Sequence, residues 1–338
     1  MGQGTTLSHF RIIRYRSMSF FRYNAIAMLA GFVLDLLIGD PEGWPHPVIW
    51  IGKYISLADR KIRARADGDS VKLRRGSVWM TVSTCLITMA VTAAVLRLAM
   101  FGGRWVLLAV MSVLSWTCLS AKCLAKEAQG VAKALKRSLE DGRKQVGRIV
   151  GRDTACLSEE EIVKATVETV AENTTDGVIS PMIYLLIGGP VLAMGFKASS
   201  TLDSMEGYLD EKYRDIGWCG AKLDDVLNYI PARLSGLLMC LSAGILRGLD
   251  GRNAYRVMKR DHANHLSPNC AWTESAAAGA LHIRLGGSHE YFGKIIEKPT
   301  IGDADREVRK SDIVQTNRLM YATAILMAAV LFAIGMIL

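Results

Sequence analysis

Long uncharged apolar runs alternate with charged stretches along this chain. Residues 77–96, 105–121 and 319–338 carry no charged side chain. Each is about as long as a helix needs to be to cross a hydrocarbon core, so each predicts a transmembrane helix. Residues 177–196 form a fourth run, in which Pro181 and then Gly188, Gly189 and Pro190 predict a broken or re-entrant pair of helices. Residues 23–39 form a fifth, interrupted by Asp35. A charge at mid-bilayer costs about 2.5–3.5 kcal/mol on insertion scales, which puts Asp35 either near the end of its span or in a functional role. Residues 234–246 are apolar but short, and are expected to be re-entrant or buried.

Between the runs the periodicity is helical. Ser158 with Glu161 reads as a capping box and opens an acidic-faced helix that should run to about Asp176, where Gly177 stops or bends it. On that helix Glu168, Glu172 and Asp176 recur every fourth residue and should stack one turn apart. Residues 122–136 predict a mixed-charge helix broken by Asp141 and Gly142. Pro41, Pro45 and Pro47 forbid a helix and predict a rigid turn presenting Asp40, Trp44 and His46, either as an interfacial anchor or as part of a site. Gly286 and Gly287 predict a tight turn. Residues 1–22, polar and Arg-bearing, are the candidate for a disordered tail; residues 23–338 are expected to form a single helical domain. The expected class is an all-α, multi-span integral membrane protein with motif-bearing loops and re-entrant or buried helices.

Composition agrees. Half of the 338 residues are hydrophobic, and the mean hydropathy is positive. Lys and Arg exceed Asp and Glu by 41 to 32, a net charge of +9. The surplus is uneven: eight Lys or Arg lie between Asp40 and Gly76 and ten between Lys122 and Asp176, against Arg104 alone before Trp105. Positive loops stay inside, so this pattern sets the orientation in a cytoplasmic membrane, with the motif loops facing the cytoplasm. It also accounts for the basic balance without nucleic acid. Seven cysteines include no Cys-x-x-Cys pair and support neither a zinc site nor a disulfide framework. The chain has no phosphate-loop, dinucleotide-binding, His-Glu-x-x-His or Gly-x-Ser-x-Gly motif.

Candidate chemistry gathers around residues 168–233. Beyond Glu172 and Asp176 come Asp203, then Asp224, Asp225 and Asn228 at helical spacing, with Lys212, Arg214 and Arg233 among them. Oxygen donors so spaced suit Mg²⁺, which takes one or two carboxylates and fills its other positions with phosphates and water. His262 and His265 are read as hydrogen-bonding or surface histidines.

The segments DLLIGDPEGWPHPV, VAENTTDGVISP, TLDSMEGY, LDDVLNYIPARL, SPNCAWTESAAAGAL, IRLGGSHEYFG and KPTIGD, in one order from about Leu34 to Asp312, resemble the cobalamin-biosynthesis CbiB/CobD family, the adenosylcobinamide-phosphate synthases. That resemblance implies a membrane ligase joining aminopropanol or its O-phosphate to the propionate carboxylate of adenosylcobyric acid, with ATP as co-substrate and Mg²⁺ as cofactor. Other membrane-associated late corrinoid enzymes are expected partners. Activating a carboxylate as an acyl phosphate calls for metal and cationic clamps. Glu172, Asp176, Asp224 and Asp225 are therefore the candidate metal ligands. Lys212, Arg214 and Arg233 are the candidate phosphate clamps, and Asn173, Asn228 and Asn269 the groups orienting substrate amides. Asp40, His46 and Asp203 are the candidate catalytic groups, His46 as base for the incoming ammonium. Glu206 stands where the family usually has a small apolar residue and is left out. Two rivals stand beside it: a Mg²⁺-dependent prenyltransferase-like enzyme clamping a diphosphate through Asn173, Asp176, Asp224, Asp225 and Asn228, and a non-enzymatic AmpE-like sensor in which the acids are dispensable.

Overall fold

A computed structural model describes residues 19–41, 43–151, 153–208, 210–291 and 294–338, with backbone only for 288–298. Most of the expected tail therefore lies outside the described residues. The helices in chain order are α1 (Phe20–Leu37), α2 (Pro47–Ala66), α3 (Ser70–Met100), α4 (Arg104–Trp116), α5 (Ala121–Leu135) and α6 (Leu139–Val146). There follow α7 (Glu159–Thr174), a π-helical turn (Thr175–Ile179), α8 (Ser180–Glu206), α9 (Trp218–Ile245), α10 (Gly251–Asp261), α11 (Cys270–Leu281) and α12 (Lys310–Ile337). One antiparallel hairpin, β1 (Leu285–Tyr291) with β2 (Lys294–Ile301), is the departure from an all-helical chain. Among the described residues, six helical stretches are long and apolar enough to cross a membrane, so the chain is a multi-span helical membrane protein.

The 159–206 stretch does not run straight. Gly188 and Gly189 leave helical geometry, Gly189 at φ 62°, a conformation glycine adopts without strain. The chain folds back there: the rings of Tyr184 and Phe196 stack with centroids 5.0 Å apart, where twelve residues of straight helix would separate them by about 18 Å. The 177–196 run is thus a helical hairpin, and its tip is held where Asn24 Nδ2 donates to the Leu186 carbonyl.

Four expectations on element ends need correction. The acidic helix does not end at Asp176; the π turn carries it into α8. Gly177 instead allows close approach, since a Cβ there would lie 2.5 Å from Ser120 Oγ. Residues 234–246 are not a short separate element but the second half of the 28-residue α9, which continues through Pro231. The break after α5 falls at residues 136–138, where Ser138 caps α6, so Asp141 and Gly142 lie inside a helix. Gly286 and Gly287 make a bulge within β1, not the turn of the hairpin.

Asp35, fully buried in the last turn of α1, has a structural task. Its Oδ2 accepts from the Ala121 and Lys122 amides at 3.0 and 3.4 Å. A carboxylate at a helix N-terminus is favoured by the exposed amides and the helix dipole. The bond fixes the start of α5 against the end of α1, and Trp116 Nε1 donates to Gly39 O at 3.0 Å beside it. A turn at residues 43–46 follows, and Pro47, expected to forbid a helix, instead opens α2 in its first turn, where proline costs nothing.

Candidate functional site

The hairpin, the π turn and α9 build one chamber of about 340 Å³ at one end of the bundle. Glu172 enters from α7, Asp176 from the π turn, Asp203 from the returning arm of α8, and Asp224, Asp225 and Asn228 from α9. Asp176 and Asp203 are 27 residues apart, and only the fold-back at Gly188–Gly189 lets both face the same space. Ser267 and Asn269 from the segment before α11, with Cys270 at its start, line the chamber as well. π turns widen the helix and shift its register, which is why they recur at functional sites. Here the turn carries Asp176 into the chamber.

Local bonds sort the acids. Asn228, 1% exposed, is spent at both ends of its amide: Ser180 Oγ donates to Oδ1 at 2.6 Å, and Nδ2 donates to Asp224 Oδ2 at 2.9 Å. It positions Asp224, and one N–H of its Nδ2 remains for a further acceptor. Asp225 is met by Lys222 Nζ at 3.3 Å and by Ser267 Oγ at 3.4 Å. Glu172 accepts from the Cys270 thiol at 3.0 Å. Burial, then Glu172 and Glu274, push that thiol well above its ordinary range, so it is a donor and not a thiolate nucleophile. Asp224 Oδ1, Thr175 Oγ1 and Asn269 Oδ1 are left buried without a hydrogen-bond partner. Three unsatisfied oxygens on one chamber are costly unless a ligand meets them.

Cations rim this space. Arg214 lines it, with Arg74 and Lys222, two residues the sequence patterns did not single out. Arg74 is held by Asp215 at 2.8 Å and lies 5.9 Å from the Trp218 ring centroid. Of the expected phosphate clamps, two point elsewhere. Lys212 is exposed and donates to Tyr213 Oη at 2.7 Å. Arg233 lies 4.9 Å from the Trp272 ring centroid and lines a neighbouring cavity with His262 and His265. Lys212 lies in the turn between α8 and α9, and Arg233 on a face of α9 turned toward that neighbouring cavity.

Asp40 and His46 stand together, Nε2 to Oδ1 3.8 Å, outside the lining of the chamber. His46 Nδ1 caps α2 by accepting from the Val48 amide, so the ring proton sits on Nε2. Burial holds the imidazole below its usual range against the pull of Asp40. Asn173 donates to Thr169 O at 2.9 Å and lines a second cavity. Asn269 Nδ2 donates to the Asp225 carbonyl at 2.8 Å, leaving its Oδ1 free.

Among the described residues no three His, Cys, Asp or Glu side chains stand close enough to hold a metal ion unaided. The donors do fit a Mg²⁺ ion that takes few protein ligands and completes its shell with phosphate and water. Asp224 Oδ1 is free for it, and Asp176 lies within electrostatic reach.

A helical membrane protein with a carboxylate chamber at one end, rimmed by arginine and lysine, is the class these features define. Comparison narrows it: the family model described as CobD/Cbib protein matches residues 28–320. The cobalamin biosynthesis protein CobD of Listeria monocytogenes is 48% identical over 90% of this chain and 96% of its own. CobD of Citrobacter koseri is 46% identical over 91% of this chain and 97% of its own, and CbiB of Salmonella typhimurium 46% over 91% and 96%. The chain belongs to the CobD/CbiB family of cobalamin biosynthesis proteins. No solved structure matches.

Proposed function

We propose that this protein is the amide-forming ligase of corrinoid synthesis, attaching aminopropanol or its O-phosphate to the propionate carboxylate of adenosylcobyric acid at the expense of ATP. The observation that carries the reading is the convergence of Glu172, Asp176, Asp203, Asp224 and Asp225 under Arg74, Arg214 and Lys222. A carboxylate oxygen is a poor leaving group, so the propionate must first become an acyl phosphate. The amine nitrogen then forms the C–N bond, the C–O bond to phosphate breaks, and phosphate departs with the electron pair.

Each chain residue has a task in this scheme. Arg214 and Arg74 hold phosphate oxygens through paired N–H donors, and Lys222 adds a point charge. Asn269 Oδ1 accepts from a corrinoid amide N–H. Asp203 takes up the proton that the ammonium must lose before it can attack. Mg²⁺, held by Asp224 and Asp176, would neutralise charge on the transferring phosphoryl group. A chamber of about 340 Å³ lies at the small end of ligand pockets, about 300–1,000 Å³. It takes the propionate arm and the phosphates, while the macrocycle rests across the mouth. The basic segments 40–76 and 122–176 favour the cytoplasmic side, where ATP and corrinoid are found, for this end.

The test is complementation of a strain blocked at cobyric acid, with the gene intact or carrying Asp176→Ala. The intact gene should restore growth without cobinamide and the variant should not. Growth that still requires cobinamide with the intact gene overturns the reading, and an active Asp176→Ala favours a sensor.

A further inference from the structure

The cations on the α2–α3 hairpin divide into two sets. Arg63 and Arg74 are spent on carboxylates, Asp59 at 2.7 Å and Asp215 at 2.8 Å. Lys61 and Arg65 on α2, with Lys72 and Arg75 on α3, instead line a cavity of about 340 Å³ between the two helices, and among the described residues no carboxylate lines it. Gly76 brings the helices together there, since a Cβ on it would collide with Ile62. Lys72 has Asp69 at 3.9 Å, whereas Lys61, Arg65 and Arg75 form no ion pair with a described residue. Arg65 suits the last turn of α2, whose dipole favours a cation, but Lys72 in the first turn of α3 sits against its own helix dipole. Four like charges around one cavity repel unless an anion sits among them.

The surface that continues from the cavity says what carries the anion. Lys72 and Arg75 share a face of α3 with Trp79, Val82 and Leu86, spaced by three and four residues, and the last three are 50% to 59% exposed. Residues 77–96 carry no charge, so this face passes from cationic to apolar within a turn, and Trp79 marks the boundary where tryptophan rings settle between headgroups and hydrocarbon. Among the described residues α3 is also the barest of the six apolar stretches, 17% buried against 39% or more in the others. A soluble phosphate would meet the cations and leave the apolar stripe bare; a phospholipid meets both. We propose that the α2–α3 pocket binds an anionic phospholipid, its headgroup phosphate among Lys61, Arg65, Lys72 and Arg75 and an acyl chain along Trp79, Val82 and Leu86. The pocket shares no lining residue with the carboxylate chamber, so this inference stands whether or not the protein forms an amide.

Purified full-length protein in a neutral detergent is titrated with dioleoyl phosphatidylglycerol, with dioleoyl phosphatidylcholine and with inorganic phosphate, and the thermal midpoint reports binding. Phosphatidylglycerol should raise the midpoint saturably. Phosphatidylcholine, with the same chains and no net charge, should not. Each cation facing an anionic headgroup weighs about 5-fold in affinity, so Arg65→Gln with Arg75→Gln should need about 30-fold more phosphatidylglycerol for the same shift. Lys133→Gln with Lys136→Gln, which removes as much charge from the exposed end of α5, should stay within ~2-fold of wild type. Lys61→Gln with Lys72→Gln, a second change in the pocket, should lose at least ~5-fold, and it decides the matter if the arginine variant does not fold. Equal protection by phosphatidylcholine overturns the proposal, as does an unchanged titration in the pocket variants or an equal loss in the α5 variant. Protection by inorganic phosphate that depends on Arg65 and Arg75 would make the occupant a soluble anion and overturn the lipid.

Discussion

Two regions of this molecule are dense in charge and treat it in opposite ways. Around α10, acids have their cations: Arg260 meets Asp261 at 2.6 Å and Asp303 at 2.9 Å, Arg256 reaches Asp303 at 3.1 Å, and His282 lies between Asp250 and Asp305. In the chamber five carboxylates share one space, and Lys222 with Asp225 is the one ion pair among them in the described residues. The balanced network holds the downstream segment in place. The unbalanced one works against the fold, because like charges at close range repel. Such frustration persists where a ligand relieves it.

Neutral isosteres test that difference most severely. Asp176→Asn and Asp224→Asn should each lower amide formation by at least ~100-fold, because the group that holds charge in the transition state is gone. The thermal midpoint should stay level or rise, since repulsion goes with the charge. Product formation and thermal unfolding on the same detergent-purified protein check this. Loss of activity together with loss of fold would make the chamber a structural cluster like the other. Arg260→Ala should behave in the opposite sense. Activity should stay within ~2-fold, and stability should fall by about 1–2 kcal/mol, because Asp261 is left buried without its partner while Arg260 itself is half in water.

Why these regions looked alike in sequence is a matter of what helical spacing can say. Spacing put Asp224 and Asn228 on one face, and the structure joins them; it was silent on Ser180, which consumes the other end of that amide. Gly188, Gly189 and Pro190 marked the hairpin because their backbone preferences are local. That the hairpin would bring Asp203 to Asp176 is a tertiary fact with no local signal. Lys197 only closes an apolar run, Arg74 is one of eight cations in a basic segment, and Lys222 belongs to no pattern singled out in the sequence. Lys212 and Arg233 drew attention by nearness in sequence to the acids, yet aromatic rings hold both away from the chamber. The capping box at Ser158 was legible in full, since it depends on residues within one turn.

The smallest effect sharpens the balanced side of the comparison. The Arg260 guanidinium, and after it the Gly302 amide at 2.8 Å, hold the Asp261 carboxyl below its ordinary range, against the opposing pull of burial. A carboxyl whose folded pKa lies below its unfolded value of 3.8 contributes stability that is complete above that value and is lost as pH falls through the folded one. The gap between wild type and Arg260→Ala should therefore be constant from about pH 7 to 5 and close progressively below about pH 4. Chemical denaturation of both proteins across that range, with the same detergent and salt, measures it. A gap that stays open at low pH would mean that Arg260 stabilises through packing of its stem rather than through its charge, and the contrast with the chamber would then be one of shape, not of electrostatic balance.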